Sequence, residues 1–254
     1  EEFESYLFLV VRAIHFATWT PAPYDFDTVN LYLFLGRHSL VTVRPEPLRA
    51  VETVRERVEA APDLLARGPD HVAHLLVDAV VDRYFPLLDE IDSYVDEVQD
   101  AVFHRAGPGA MERIFELKRS LLALRRHLAP LREVAASLAG RPSPYLRPEV
   151  QVYFRDVYDH VVRQVESVET FRDILSSAME GHLSLMSNRL NEVMKALSVI
   201  ATVVLPPTLV ASIYGMNFAH MPGLDSPYGF WLALAGMATI SLAVLAYMAW
   251  KGWL

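Results

Sequence analysis

Two uncharged runs near the end of the chain stand out from the mixed pattern before them. Positions 196–213 carry no formal charge over eighteen residues, and positions 230–250 carry none over twenty-one. A helix of ~20 apolar residues suffices to cross the hydrocarbon core of a bilayer. The two runs and the segment between them therefore predict a transmembrane hairpin. Upstream, positions 6–16, 29–35 and 39–43 are β-branched and aromatic runs of strand length. With Gly36-Arg37-His38 as a turn they predict a small antiparallel sheet, which Pro45 and Pro47 close. Positions 48–60 predict a charged helix with Val51, Val54 and Val58 at helical spacing. A single long helix is expected over 71–102, with Leu75, Val80, Tyr84, Leu88, Ile91, Val95 and Val98 on its apolar side. Gly107-Pro108-Gly109 ends it, 110–139 returns as another helix, and 140–148 is the next break. An antiparallel helix pair packed on a sheet is an α+β arrangement.

From Glu149 the pattern is helical, with no breaker before Pro206. Apolar residues follow one another at steps of three or four from Phe154 through Val161, Val168, Leu175, Leu183 and Leu190 to Leu197. Their mean step is close to the ~3.6 residues of one helical turn. One helix over 149–213 would be roughly 95 Å long. A lone chain is not expected to shelter so long an apolar stripe, so the pattern predicts a symmetric bundle of copies, a homo-oligomer. The expected organisation is an α+β module over 1–148, which starts inside a strand and lacks its beginning. A stalk helix over 149–195 follows, then a first span over 196–213 and a connecting loop over 214–229. The second span covers 230–250, and 251–254 is the tail.

Charge adds topology and removes several function classes. The mean hydropathy of +0.20 averages a polar first three quarters and a strongly apolar last quarter. A formal net charge of −8 argues against nucleic acid as a partner, since phosphate binding wants a basic face. With no cysteine there is no disulfide framework, thiolate metal site or cysteine nucleophile. The opening Glu1-Glu2-Phe3-Glu4 is no signal peptide. No phosphate loop, nucleophile or acid/base pair is evident, so the chain is not expected to be an enzyme. Arg189 and Lys195 precede the first span and Lys251 follows the second, while the loop holds no Lys or Arg and one acid, Asp225. The positive-inside rule then places both chain ends in the cytoplasm. Tyr228, Trp231, Tyr247, Trp250 and Trp253 sit where interfacial aromatics belong.

The segment Tyr214-Gly215-Met216-Asn217-Phe218 at the outer end of a first span, with a second span ending near Lys251-Gly252-Trp253-Leu254, resembles the CorA divalent-cation transporters. Ser187-Asn188-Arg189-Leu190-Asn191-Glu192-Val193-Met194-Lys195, Glu169-Thr170-Phe171-Arg172-Asp173-Ile174, Phe154-Arg155-Asp156-Val157-Tyr158-Asp159-His160 and Pro130-Leu131-Arg132-Glu133-Val134 extend the likeness. The resemblance implies a funnel-shaped homopentamer in the inner (cell) membrane, with the stalk helix lining the pore and the second span outside it. It implies that Mg²⁺ is both transported and regulatory, with Co²⁺ and Ni²⁺ as companions. Gly215, Met216 and Asn217 would form the selectivity filter, and Asn191, Met194, Leu197 (or Ser198), Ala201, Leu205 and Thr208 would line the pore. Asp156 would belong to an intersubunit regulatory metal site whose usual acidic partner precedes Glu1, and Glu180 matches a pore-facing acid low in the stalk.

The chemistry of the residues agrees. Mg²⁺ gives up water reluctantly, so neutral oxygens offered to a hydrated ion suit it better than a carboxylate cage. A ring of Asn217 side chains supplies such oxygens, and Gly215 lets the backbone turn. An apolar middle between polar ends suits a gate that closes by dewetting. The chain departs from the family in three places. Met221-Pro222-Gly223-Leu224 lacks an acid the family often carries there, and Ala219 is uncharged too. Pro206-Pro207 doubles a usually single proline, which favours a kink. The basic tail is reduced to Lys251.

Plainer readings stand beside these. Gly and Asn also end helices for backbone reasons alone. Met179, Met186 and Met194 suit packing better than soft-metal ligation, and Asn191 could fix the register of a bundle. Asp89, Asp92 and Asp96, with Glu97 and Asp100, form either a solvated acidic face or a loose Mg²⁺-sensing surface. His71, His74 and Asp78 share zinc-compatible spacing but are expected to be a surface feature. A zinc transporter of the related branch, which tends to carry Val at the place of Met216, and a membrane-anchored helical scaffold without flux remain the alternatives.

Overall fold

The computed structural model describes residues 1–15, 26–102, 109–217, 221–223 and 225–253. Phe16 of the first expected strand, the Gly107-Pro108 break, and Phe218, Ala219 and Leu224 of the signature loop lie outside the described residues. The chain divides into two units, Glu1–His182 and Leu183–Leu254.

In the first unit, strand β1 (Leu7–His15) pairs antiparallel with β2 (Asp27–Leu35), and β2 pairs antiparallel with β3 (Leu40–Val43). The register sets Leu7 opposite Leu35, Leu9 opposite Leu33 and Val11 opposite Leu31. Side chains alternate across a strand, so these six share one face, and all six are buried. The other face carries Phe8, Tyr32 and Phe34, with the Phe8 and Phe34 ring centroids 4.9 Å apart. Cross-strand aromatic pairs of this kind contribute about 0.2–1 kcal/mol each. The turn after β2 closes where the Gly36 amide donates to the Ser39 carbonyl at 2.8 Å.

Helix α1 (Arg49–Ala60) buries Ala50 and Val54, and the short α2 (Asp63–Ala66) follows it. In place of one helix over 71–102 there are two, α3 (Pro69–Asp82) and α4 (Tyr84–Asp100), separated at Arg83. Pro86 accounts for the break: it has no N–H for the Asp82 carbonyl, and its ring crowds that turn. The buried Tyr84 beside the break donates its hydroxyl to the Arg12 carbonyl of β1 at 2.8 Å. Helix α5 (Ala110–Gly140) turns Ile114, Leu117, Leu121, Leu124 and Leu128 inward at steps of three and four.

Helix α6 runs unbroken from Pro148 to Tyr214, 67 residues, with Pro206 and Pro207 inside it. Lys118 Nζ of α5 donates to Ser176 Oγ of α6 at 2.8 Å, and Arg125 pairs with Glu169 at 2.6 Å. The apolar stripe of α6 changes character along its length. Phe154, Val157, Val161, Val168 and Leu175 belong to the buried core, whereas Leu183, Leu190 and Leu197 are 57%, 64% and 58% exposed. This corrects the reasoning that the whole stripe calls for further copies. As far as Leu175 the chain's own core covers it; from Leu183 onward it lacks cover within one chain.

In the second unit, the end of α6 and α7 (Gly229–Trp250) are each long and apolar enough to cross a membrane. Beyond Leu190, the half-buried positions of α6 are Val199, Val203, Pro206, Pro207 and Val210. On α7 the covered positions are Gly229, Ala233, Met237, Ser241, Val244, Leu245 and Met248, again one stripe. The two stripes meet where Ser241 Oγ approaches the Val203 carbonyl at 3.4 Å.

Candidate ion path and metal-ligand cluster

Asn191, Met194, Leu197, Ala201, Leu205 and Thr208 follow one another on α6 at steps of three and four, and all six are exposed. At about 100° per residue, their mean direction is opposite that of Val199, Val203, Pro206 and Val210. The face that would line a path is thus the face turned away from α7. Leu197, Ala201 and Leu205 offer no hydrogen-bonding side chain, while Asn191 and Thr208 bracket them with oxygen. The Thr208 hydroxyl donates to the Val204 carbonyl at 2.8 Å. With its proton spent on the helix, the hydroxyl keeps acceptor lone pairs free.

Past Tyr214 the helix ends within the signature. The Gly215 amide still donates to the Ala211 carbonyl at 2.9 Å, and Met216 donates to Ile213 at 3.2 Å. Gly215 is not among the glycines with positive φ, so its role is not that of a left-handed cap. A Cβ at this position would lie 3.1 Å from the Ala211 carbonyl oxygen, so a side chain here would require the last turn to shift by a few tenths of an ångström. Met216 and Asn217 are exposed. Tyr214 donates its hydroxyl to the Pro222 carbonyl at 3.3 Å, which ties the loop back to the helix end.

In the first unit, α3 and α6 bring together Asp78, Asp82 and His160, whose ligand atoms all lie within 4.8 Å of one another. Nδ1 of His160 is 3.4 Å from Asp82 Oδ1, yet it is buried without a hydrogen-bond partner among the described residues. Burial, reinforced by the neighbouring Asp82 charge, pushes the Asp78 carboxyl above its usual range. The exposed Asp156 adjoins the cluster, with Oδ1 3.9 Å from His160 Nε2. Two carboxylates and an unpartnered imidazole nitrogen fit a divalent cation. The oxygens suit Mg²⁺ with water completing its shell, and the nitrogen adds affinity for Co²⁺ or Ni²⁺.

Sequence reasoning missed this cluster by grouping Asp78 with His71 and His74. The available signal was two i, i+4 pairs on different helices, Asp78/Asp82 and Asp156/His160, each of which sets two possible ligands on one helix face. The expectation that His71 and His74 lie on the surface is overturned: both are buried. They share the face of α3 that meets α6, where the His74 ring stands 5.3 Å from Phe154 and 5.5 Å from Tyr153. Burial, then the neighbouring His71, lowers the His74 pKa to about 4, so its imidazole is neutral at pH 7. Asp89, Asp92 and Asp96 are exposed on α4, behind the buried Leu88, Ile91 and Val95. Among the described residues they join no metal-ligand cluster, and neither does the exposed Glu180.

Comparison with known proteins gives a consistent picture. Residues 1–249 match the family described as CorA-like Mg²⁺ transporter protein. The cobalt/magnesium transport protein CorA of Thermotoga maritima is 37% identical over 255 residues, covering 100% of this chain and 72% of that protein. The putative metal ion transporter YfjQ of Bacillus subtilis is 32% identical over 253 residues, covering 100% and 77%. The complete structure of the CorA magnesium transporter from Methanocaldococcus jannaschii superposes with a TM-score of 0.86 at 24% identity, over 100% of this chain and 79% of that one. The chain therefore belongs to the CorA-like Mg²⁺ transporter family.

Proposed function

We propose that the protein is a divalent-cation transporter that conducts hydrated Mg²⁺, and also Co²⁺ or Ni²⁺, through a pore built by five copies of α6. The proposal places 196–213 and 230–250 in the cell membrane, with both chain ends and the 1–195 part in the cytoplasm. The observation that carries it is the exposed α6 face from Asn191 to Thr208, opposite the face that meets α7. Asn217, with Gly215 and Met216, forms the entrance, where neutral oxygens receive an ion that keeps its water. Leu197, Ala201 and Leu205 form a constriction that dewets when closed. An inside-negative potential drives entry by about 4.6 kcal/mol per 100 mV for a divalent ion.

Regulation rests on the Asp78–Asp82–His160 cluster with Asp156 beside it. The raised pKa of Asp78 marks a carboxylate held at a cost by burial and by the neighbouring Asp82 charge, and a bound cation relieves that cost. Helix α6 carries His160 and Asp156 as well as the conducting face, so an ion bound in the first unit biases the state of the helix that forms the pore.

Reconstitution into liposomes with an imposed inside-negative potential tests conduction. Asn217→Ala lowers Mg²⁺ uptake at unchanged protein incorporation; native uptake by the variant removes Asn217 from the filter. Zn²⁺ competing out Mg²⁺ in the same assay shifts the reading to the zinc-transporting branch, and no flux from the native chain leaves the scaffold. Native mass spectrometry of the solubilised complex is expected to give five copies, and a lone subunit ends the pore proposal.

A further inference from the structure

Gln164 is the polar exception on the inward stripe of α6. It follows Phe154, Val157 and Val161, precedes Val168, and is fully buried. Its Nε2 donates to the Val81 carbonyl at 2.8 Å. A carbonyl needs a donor, so the contact fixes which way the amide points. The other end, Oε1, is buried with no hydrogen-bond partner among the described residues. A half-satisfied buried amide is a poor choice for stability alone, since an apolar residue of similar shape would leave no such acceptor stranded.

What the bond secures is position. Val81 stands directly before Asp82 and three residues after Asp78, at the end of α3. Gln164 stands one turn beyond His160 on α6. The bond therefore lies beside the metal-ligand cluster on both helices, at the interruption that Pro86 makes between α3 and α4. Phe85, just past that interruption, packs edge-on against the His160 ring with centroids 5.5 Å apart.

We propose that Gln164 is a positioning residue for the Asp78–Asp82–His160 cluster: it holds the end of α3 at the height on α6 where the two carboxylates face His160. The proposal rests on the reading of that cluster as a cation site. Groups that orient metal ligands without touching the metal change affinity by about 10–100-fold when removed.

Titration of the full-length protein in detergent with Co²⁺ alone, followed by calorimetry and by the metal-induced rise in Tm, tests this. His160→Ala identifies the step that belongs to the cluster. Gln164→Leu removes the bond and keeps the bulk; Gln164→Asn keeps the amide but is too short to reach Val81, and serves should the leucine variant fail to fold. Both are expected to weaken the His160-dependent step about tenfold and to add nothing in the His160→Ala background. Native Co²⁺ affinity in both Gln164 variants, alongside weakened binding in His160→Ala, overturns the positioning role and leaves the cluster standing. Equal losses in the native and His160→Ala backgrounds show a general folding effect and overturn it too. Unchanged Co²⁺ binding in His160→Ala and Asp82→Asn removes the cluster, and the role of Gln164 with it.

Discussion

The Ser241 hydroxyl of α7 approaches the Val203 carbonyl of α6 at 3.4 Å, and Val203 is the residue four positions before Pro207. In an unbroken helix that carbonyl would accept the N–H of residue 207, which proline lacks. Hydrocarbon offers no water in its place, and serine on a neighbouring helix is one of the ways such a carbonyl is satisfied. The second proline is thus accompanied by a donor on the adjoining helix.

Ser241→Ala should weaken the α6–α7 hairpin by about 0.6 kcal/mol, with ~1.7 kcal/mol as the upper bound for such interhelical bonds. Unfolding in mixed micelles measures it. The informative comparison is a cycle with Pro207→Leu, which restores the backbone donor. With leucine at 207 the serine is redundant, and its loss should cost nothing further. An equal loss in both backgrounds would mean Ser241 acts by packing alone.

Gly215→Ala sets overpacking of about 1 kcal/mol, from a Cβ 3.1 Å from the Ala211 carbonyl oxygen, against the ~0.4–1 kcal/mol alanine gains where φ is not positive. Global stability should therefore change little while the local geometry shifts. The helix end must give by a few tenths of an ångström, which moves Met216 and Asn217. The expected result is normal expression and membrane insertion with reduced Mg²⁺ uptake in liposomes. Full uptake would show that the last turn yields without disturbing Asn217.

The sheet and the long helices are legible from hydrophobic periodicity, because one buried face per element leaves a regular trace. Pro86 escaped notice because the apolar period runs through it from Val80 to Leu88, and a break between two packed helices does not disturb that period. The covered and uncovered halves of the α6 stripe look alike in sequence: Leu175 and Leu183 are both leucines at helical spacing, and only the tertiary packing separates them. The Asp78–Asp82–His160 cluster needed the pairing of helices nearly eighty residues apart, and a single helix face of α3 suggested the wrong companions for Asp78. Gln164 reads as one more polar residue on a charged helix until its burial is known.

Arg147→Ala should destabilise the first unit by about 1.5–3 kcal/mol, the range for hydrogen bonds to a charged group, since the guanidinium is half exposed and Asp70 keeps the Arg147 and His71 amides as donors. Asp70 accepts from Arg147 Nε at 2.8 Å, from its Nη2 at 2.6 Å and from its backbone amide at 3.1 Å. Burial alone would raise the Asp70 pKa, but these bonds outweigh it and hold the carboxyl below its usual range. The lowered pKa means the pair contributes above the ordinary carboxylate value and is lost as pH falls through the folded one. Thermal unfolding from pH 7 to pH 2 should therefore show an acid limb that shrinks in Arg147→Ala. The same limb in the variant would assign the acid sensitivity to other carboxylates.

His74 gives the opposite chemistry and a different pH window. Its folded pKa is lowered from 6.5 to about 4 by burial and then by His71. Between those values the unfolded chain binds a proton that the folded chain refuses, so stability rises with pH. The contribution is complete above pH 6.5 and declines as pH falls toward 4, by at most ~1.4 kcal/mol per pH unit for one proton. Chemical denaturation at pH 7, 6 and 5 measures the slope. His74→Phe cannot titrate and keeps a ring against Tyr153 and Phe154, so it should flatten the slope by up to one proton's worth. An undiminished slope would move the titration to His71, whose pKa burial also lowers.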